Sequence, residues 1–225
     1  MLSKEKTMIF QILISIATII IAIISHEVAH GWVAYYLGDD TAKKQNRLSF
    51  NPKHHIDIFG SVFLPILMFF SKSGIIFGWA KPVPVDYNKL KHKKRDYILV
   101  SAAGVIANFI LAIISSILLK ISLLIPSNLL SGILAAFFLN MIFFNVLLAI
   151  FNLLPIPPLD GSKILLGWSE NKYIQKYVNA DRYGTLFIIL ILFILPIIIK
   201  YTGINLNPIA TFIQQTTQYI VTILI

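Results

Sequence analysis

The 225-residue chain has no cysteine at all. Thiolate metal sites, disulfides and thiol nucleophiles are therefore excluded. Charge is scarce too: 13% of residues are charged, against about 25% in ordinary soluble domains. Acidic residues are the rarer sign, ten against 19 lysines and arginines, so each carboxylate can be weighed by itself. No stretch is long or polar enough for a soluble accessory domain, and no internal repeat or low-complexity segment occurs. The first apolar run follows Lys4 and Lys6 but has no small-residue cleavage site, so it reads as a retained helix and not as a signal peptide.

What fills the chain is apolar residue, 57% of the total, at a mean hydropathy of +0.79. It comes in long blocks, which points to an all-α polytopic membrane protein forming one bundle. The net charge of +9 sits in the short stretches between blocks. That distribution follows the positive-inside rule and gives no basic face for nucleic acid.

The spacing predicts one helix over Met8–Leu37, closed by Gly38, with further spans at Tyr97–Leu119, Ile133–Leu154 and Thr185–Ile199, the last kinked or shortened by Pro196. Leu206–Ile225 is apolar but carries Gln214, Gln215 and Gln218, and reads as a fifth span or an interfacial helix. The expectation is thus four to five transmembrane helices in a single domain over 1–225, with a core at about 8–162 and C-terminal helices over 163–225. The loop carrying Lys43, Lys44, Arg47 and Lys53 and the cluster "NKLKHKKRD" (Asn88–Asp96) both belong on the cytoplasmic side. An even number of crossings must then separate them, so Asp57–Val85 dips in and returns as a re-entrant segment. Its second part, "IIFGWAKPVPV" (Ile75–Val85), reads as extended or β-like.

Against this greasy background "HEVAH" is costly. His26, Glu27 and His30 lie just past the middle of the first helix, and ionisable groups at bilayer depth cost about 2.5–3.5 kcal/mol each on insertion scales. Imidazoles at i and i+4 share one helical face and suit a zinc ion, while the intervening carboxylate can take a proton from the water beside it. The alternative is a polar patch packing two helices, but such contacts use one polar group and not three at metal-ligand spacing.

A catalytic zinc site usually takes a third protein ligand. The remaining candidates are His54, His55, His92 and the carboxylates, most of which lie in polar loops or near the termini. Asp160 differs, because "FNLLPIPPLDGSKILLGW" interrupts an apolar run with prolines, and membrane proteins build sites where helices break. It reads either as a ligand or as the N-cap of the helix that "GSKILLGW" starts. Topology brings it to the same half of the membrane as His26 and His30.

These motifs resemble those of the site-two protease family of intramembrane zinc metalloproteases, in its compact bacterial and archaeal form without PDZ-like or CBS-like domains. "HEVAH", "GVIAN" (Gly104–Asn108) and "NLLPIPPLDG" (Asn152–Gly161) carry the match, with lesser echoes in "RLSFNPKHHID" (Arg47–Asp57) and "FGWAKPVPV" (Phe77–Val85). The resemblance implies one zinc per chain held by His26, His30 and Asp160, with Glu27 as general base. Asn108 and Asn152 are implied to position substrate or stabilise an oxyanion; read alone, they are helix–helix hydrogen-bonding groups, and Gly104 is a close-packing residue. His54 and His55 lie where the family often carries one histidine, and they read most simply as loop residues.

The expected activity is cleavage of single-pass membrane proteins within the bilayer, toward the cytoplasmic side of the cell membrane, with an extended edge at Ile75–Val85 receiving the unwound substrate by strand addition. Two alternatives remain: a membrane metal transporter or metal-binding protein using the same His/Asp cluster, and an inactive relative that binds partners without cutting.

Overall fold

The computed structural model describes residues 4–63, 80–126, 128–169, 171–178, 181–191, 195 and 207–225. In chain order the helices are α1 (Lys4–Tyr36), α2 (Thr41–Lys44), α3 (Lys93–Ser122), α4 (Asn128–Leu153), α5 (Asp160–Trp168), α6 (Lys172–Val178), α7 (Asp181–Ile189) and α8 (Pro208–Leu224). Helices α1, α3 and α4 are long and apolar enough to cross a membrane.

Local chemistry sets their limits. Helix α1 has no proline and ends where Gly38 takes a φ of +111°, a conformation that costs a residue with a Cβ. Helix α3 begins in the basic cluster, where the Asp96 carboxylate accepts from the His92 backbone N–H at 2.9 Å and satisfies one of the donors left over at a helix start. Helix α4 stops two residues before Pro155, and the chain turns through Pro157 and Pro158 into α5. Gly161 permits that reversal, since a Cβ there would lie 2.2 Å from the Leu153 carbonyl oxygen.

Helix α3 is the central element and packs against α1, α4 and α5. The main apolar cluster joins Ala112 and Leu119 of α3 to Ile142, Val146 and Ile150 of α4, with Ile213 and Val221 of α8 on the far side. Exposure of large apolar residues is high on the outer surfaces, such as Leu13 of α1 and Ile117 of α3, as expected where the surrounding solvent is lipid.

Three helices of membrane length occur among the described residues, and the expected fourth span runs partly outside them. Of the proposed span Thr185–Ile199, the first residues lie in α7 while 192–194 and 196–199 are outside the described residues. The Leu206–Ile225 stretch forms α8, a 17-residue helix that packs along α4 and α3. The re-entrant segment is described only at its ends. Ile58–Phe63 forms a π-helical turn opened by Asp57, whose carboxylate accepts from the Gly60 N–H at 2.7 Å. Residues 64–79 lie outside the described set, and Ala80–Val85 has no regular secondary structure, so no strand occurs among the described residues.

Candidate metal centre

His26 and His30 stand one turn apart on the buried face of α1, 5% and 9% exposed. Each ring is oriented by its Nδ1. That of His26 lies 2.7 Å from Asn108 Oδ1, and that of His30 lies 2.7 Å from the Val100 carbonyl oxygen, both on α3. The two Nε2 atoms consequently turn toward each other, 3.0 Å apart. Gly104, midway between Val100 and Asn108 on α3, makes room for this: a Cβ there would lie 2.5 Å from His30 Nε2 and 2.6 Å from His26 Cε1. The small residue of "GVIAN" thus lets helix backbone press directly on the two imidazoles, a role that goes beyond general packing.

Asp160 completes the group. It is the first residue of α5, whose N-cap is Leu159, and no side-chain cap bond forms there. The capping alternative is thereby displaced. The carboxylate points instead at the histidines, with Oδ2 lying 3.0 Å from His26 Nε2 and 3.1 Å from His30 Nε2. His26, His30 and Asp160 are a buried trio that could hold a metal ion. At 1.5 Å per residue, Gly104 is about 16 Å along α3 from its basic end, well inside a helix long and apolar enough to cross a membrane.

The donor set itself fits a cation. Both Nδ1 atoms face oxygens that only accept, so each Nδ1 carries its hydrogen and each imidazole, in its neutral form, keeps its lone pair on Nε2. The Asn108 amide is fixed in this sense because its Nδ2 donates to Ala22 O at 3.2 Å and to Asn145 Oδ1 at 2.8 Å. Two lone pairs and a carboxylate oxygen therefore converge at 3.0–3.1 Å, and Asp160 Oδ2 has no hydrogen-bond partner there. Such an arrangement repels itself unless positive charge lies among the three atoms. Three ligands sharing an ion at about 2.0–2.1 Å sit a little over 3 Å apart, so spacing and chemistry agree.

Glu27, beside the trio, also reaches the loops. Its Oε2 accepts from the Val83 N–H at 2.7 Å, which ties it to the irregular segment Ala80–Val85. That segment is gripped in turn. Arg47, 6% exposed, donates to the carbonyl oxygens of Lys81 at 2.7 Å and Pro82 at 3.1 Å, and the His55 carbonyl accepts from the Lys81 N–H at 2.8 Å. Pro82 and Pro84 have no N–H to give. The expected strand addition thus finds few donors over 80–85, and the rest of its proposed edge, 75–79, lies outside the described residues. Below the strap, the fully buried Asp39 side chain accepts from the Asp86 N–H at 2.7 Å and from the Thr41 N–H at 3.0 Å, joining the end of α1 to the approach to α3.

The remaining candidates are dispersed. Asn108 sits beside His26 with both amide hydrogens committed to Ala22 and Asn145, a geometry that orients the histidine. Asn152 is half-buried and donates to Leu148 O of its own helix at 3.0 Å. His54 is exposed and bonds Asn46 O, while His55 is buried and bonds Ser49 O, so neither belongs to the trio. His92 precedes α3 as its N-cap residue. Two participants escaped the sequence reading. The Val83 amide is backbone and has no side-chain signature. Asn145 sits in an apolar helix at a spacing that matches no motif.

A model of peptidase family M50 matches residues 120–195. A Bacillus subtilis protein named "Putative zinc metalloprotease YwhC" is 38% identical over 185 residues, covering 81% of this chain and 80% of its own length. The chain belongs to peptidase family M50. This is the site-two protease family, so the chain is a metallopeptidase, a hydrolase of peptide bonds. No solved structure matches it.

Proposed function

We propose that this M50 member is an intramembrane zinc endopeptidase, with zinc on His26, His30 and Asp160 and Glu27 as general base. The observation that carries the reading is the convergence of His26 Nε2, His30 Nε2 and Asp160 Oδ2 at 3.0–3.1 Å. Zinc bound there would acidify a water and polarise the scissile carbonyl. Glu27, held at Oε2 by Val83, would take a proton from the attacking water and return it to the amine as the C–N bond breaks. The low-dielectric surroundings of a bundle core strengthen each of these electrostatic contacts.

A substrate helix hides its peptide bonds and has to unwind before one can reach this trio. Single-pass membrane proteins are the proposed substrates, entering from the lipid bilayer. The basic loops around Lys43 and Lys94, close in the chain to the ends of α1 and α3 that bear the trio, support a cytoplasmic-facing site in the cell membrane. Asn152 is retained as a proposed substrate contact, since the residue is half-buried beside the turn that bears Asp160.

The test compares membrane proteomes of cells making wild-type protein or Glu27→Gln. The reading predicts that intact single-pass proteins accumulate only with the variant, and that the purified variant keeps its zinc. Continued cleavage by Glu27→Gln would remove the assigned base. Zinc flux in proteoliposomes, equal in wild type and variant and without cleavage, would establish the carrier alternative instead.

A further inference from the structure

Asn145 lies in the middle of α4, fully buried in an otherwise apolar stretch, and no step of the proposed reaction uses it. A buried amide in such surroundings is costly unless all its polar atoms are matched. Its two ends are matched in a directional way. Its Nδ2 donates to the Met141 carbonyl oxygen at 2.8 Å, one turn back on its own helix, which forces Oδ1 to point outward. Oδ1 then accepts from Asn108 Nδ2 at 2.8 Å.

The consequence passes to His26. If the Asn108 amide were reversed, its oxygen would face two acceptors, Asn145 Oδ1 and Ala22 O, and its NH2 would face His26 Nδ1. The imidazole would then have to accept at Nδ1 and carry its hydrogen on Nε2, the atom turned toward Asp160 and His30. An Nε2–H cannot ligate a metal. Ala22 O resists the reversal through a longer bond of 3.2 Å, whereas Asn145 resists it at 2.8 Å. We infer that Asn145 is a positioning residue for the metal centre: by accepting from Asn108 it locks the amide that turns the lone pair of His26 Nε2 into the site. The relay runs from Met141 O through Asn145 and Asn108 to His26, across three helices. Outer partners of this kind set the orientation of a ligating histidine in metal sites generally. The inference rests on the zinc-site reading above.

The experiment measures zinc affinity by chelator competition on purified full-length protein in detergent, together with thermal unfolding of the metal-free form. Asn145→Leu is expected to weaken zinc binding about tenfold, the lower end of the range for outer-shell partners. Asn145→Asp keeps an acceptor toward Asn108 and is expected to bind zinc like wild type. Asn108→Leu is expected to bind more weakly than Asn145→Leu, and the double variant no more weakly than Asn108→Leu alone, because Asn145 acts only through Asn108. A purely structural bond would lower the metal-free unfolding temperature and add to the Asn108 effect. Should Asn145→Leu fail to fold, Asn145→Ser, whose hydroxyl stops short of Asn108, carries the same expectation. Wild-type affinity in Asn145→Leu or Asn145→Ser, or losses that multiply in the double variant, would overturn the inference while leaving the zinc site standing. A wild-type protein that binds no zinc would overturn both.

Discussion

The two halves of α1 are built from similar apolar residues and live in different solvents. From Met8 to Ile21 the helix shows lipid a surface of exposed Met8, Ile9, Leu13, Ile16 and Ile20, and its buried members are few, Ile14 and Thr18 among them. Its polar tie to the bundle is the bond from Ser15 Oγ to Asn140 Oδ1 at 3.0 Å. From Ala22 to Ala34 the same helix is boxed in, with Ala22 and Ala34 fully buried, Val28 at 1% exposure, and both imidazoles packed on Gly104 of α3. The first half is interchangeable grease, because lipid accepts any apolar side chain that faces it. The second half is a fitted surface in which a single methyl group or a single amide bond decides whether the trio converges. Hydropathy alone does not separate the two, yet their tolerance of change should differ by orders of magnitude.

The comparison can be broken most forcefully at Gly104. Gly104→Ala places a Cβ inside the imidazole pair, and zinc affinity measured by chelator competition is expected to fall about 100-fold or more. Ile16→Ala, on the lipid-facing half, is expected to leave it unchanged. Equal behaviour of the two variants would abolish the distinction. Next in size is Val83→Pro, which deletes the N–H that holds Glu27, at a position flanked by Pro82 and Pro84. Proteolysis of a reconstituted membrane substrate should fall about 10- to 100-fold with zinc content intact, since it is the base that loses its orientation. Loss of zinc along with activity would mean that the strap supports the trio itself.

Smaller again is Ser15→Ala, which removes the polar tie of the lipid-facing half. Membrane hydrogen bonds average about 0.6 kcal/mol in double-mutant cycles, and the shift in detergent unfolding should be of that size. The smallest effect lies outside the membrane, at the turn after α1. Hydrogen bonds and ion pairs from Lys44 and Lys89 hold the Asp40 carboxyl down to about 2. Burial works to raise the Asp39 carboxyl, but bonds from Thr41 and Asp86 and the charge of Lys89 bring it below its ordinary value. A carboxyl lowered on folding stabilises above its unfolded value, so this contribution is present from about pH 4 upward and fades as pH falls toward 2. Acid titration of wild type against Asp39→Asn should show the loss in wild type and a flatter profile in the variant.

The same contrast explains what the sequence could disclose. The three long helices were legible because lipid imposes a length and a composition on any span, and His26, Glu27 and His30 stood out against that composition. Asp160 was legible only as one of two possibilities, since a residue at a proline-broken helix start can cap or ligate. Its choice depends on α5 folding back under α4, which Gly161 permits through a contact distant from any sequence period. The Val83 amide was not legible, because backbone donors carry no identity and the strap reaches Glu27 across 56 residues. Asn145 was hidden for a related reason: one amide in an apolar helix gains meaning only from the partner across the interface. Of the expected strand edge, Ala80–Val85 carries two prolines and no regular secondary structure, and 75–79 lies outside the described residues.

The account rests on the trio holding zinc, and metal analysis of protein purified without added metal tests that most directly. One zinc per chain is expected in the wild type and in Glu27→Gln, falling to trace levels in Asp160→Ala although that variant keeps both histidines and the helix that bears them. A full complement of zinc in Asp160→Ala, or none in the wild type, would contradict the assignment of His26, His30 and Asp160 as the metal centre.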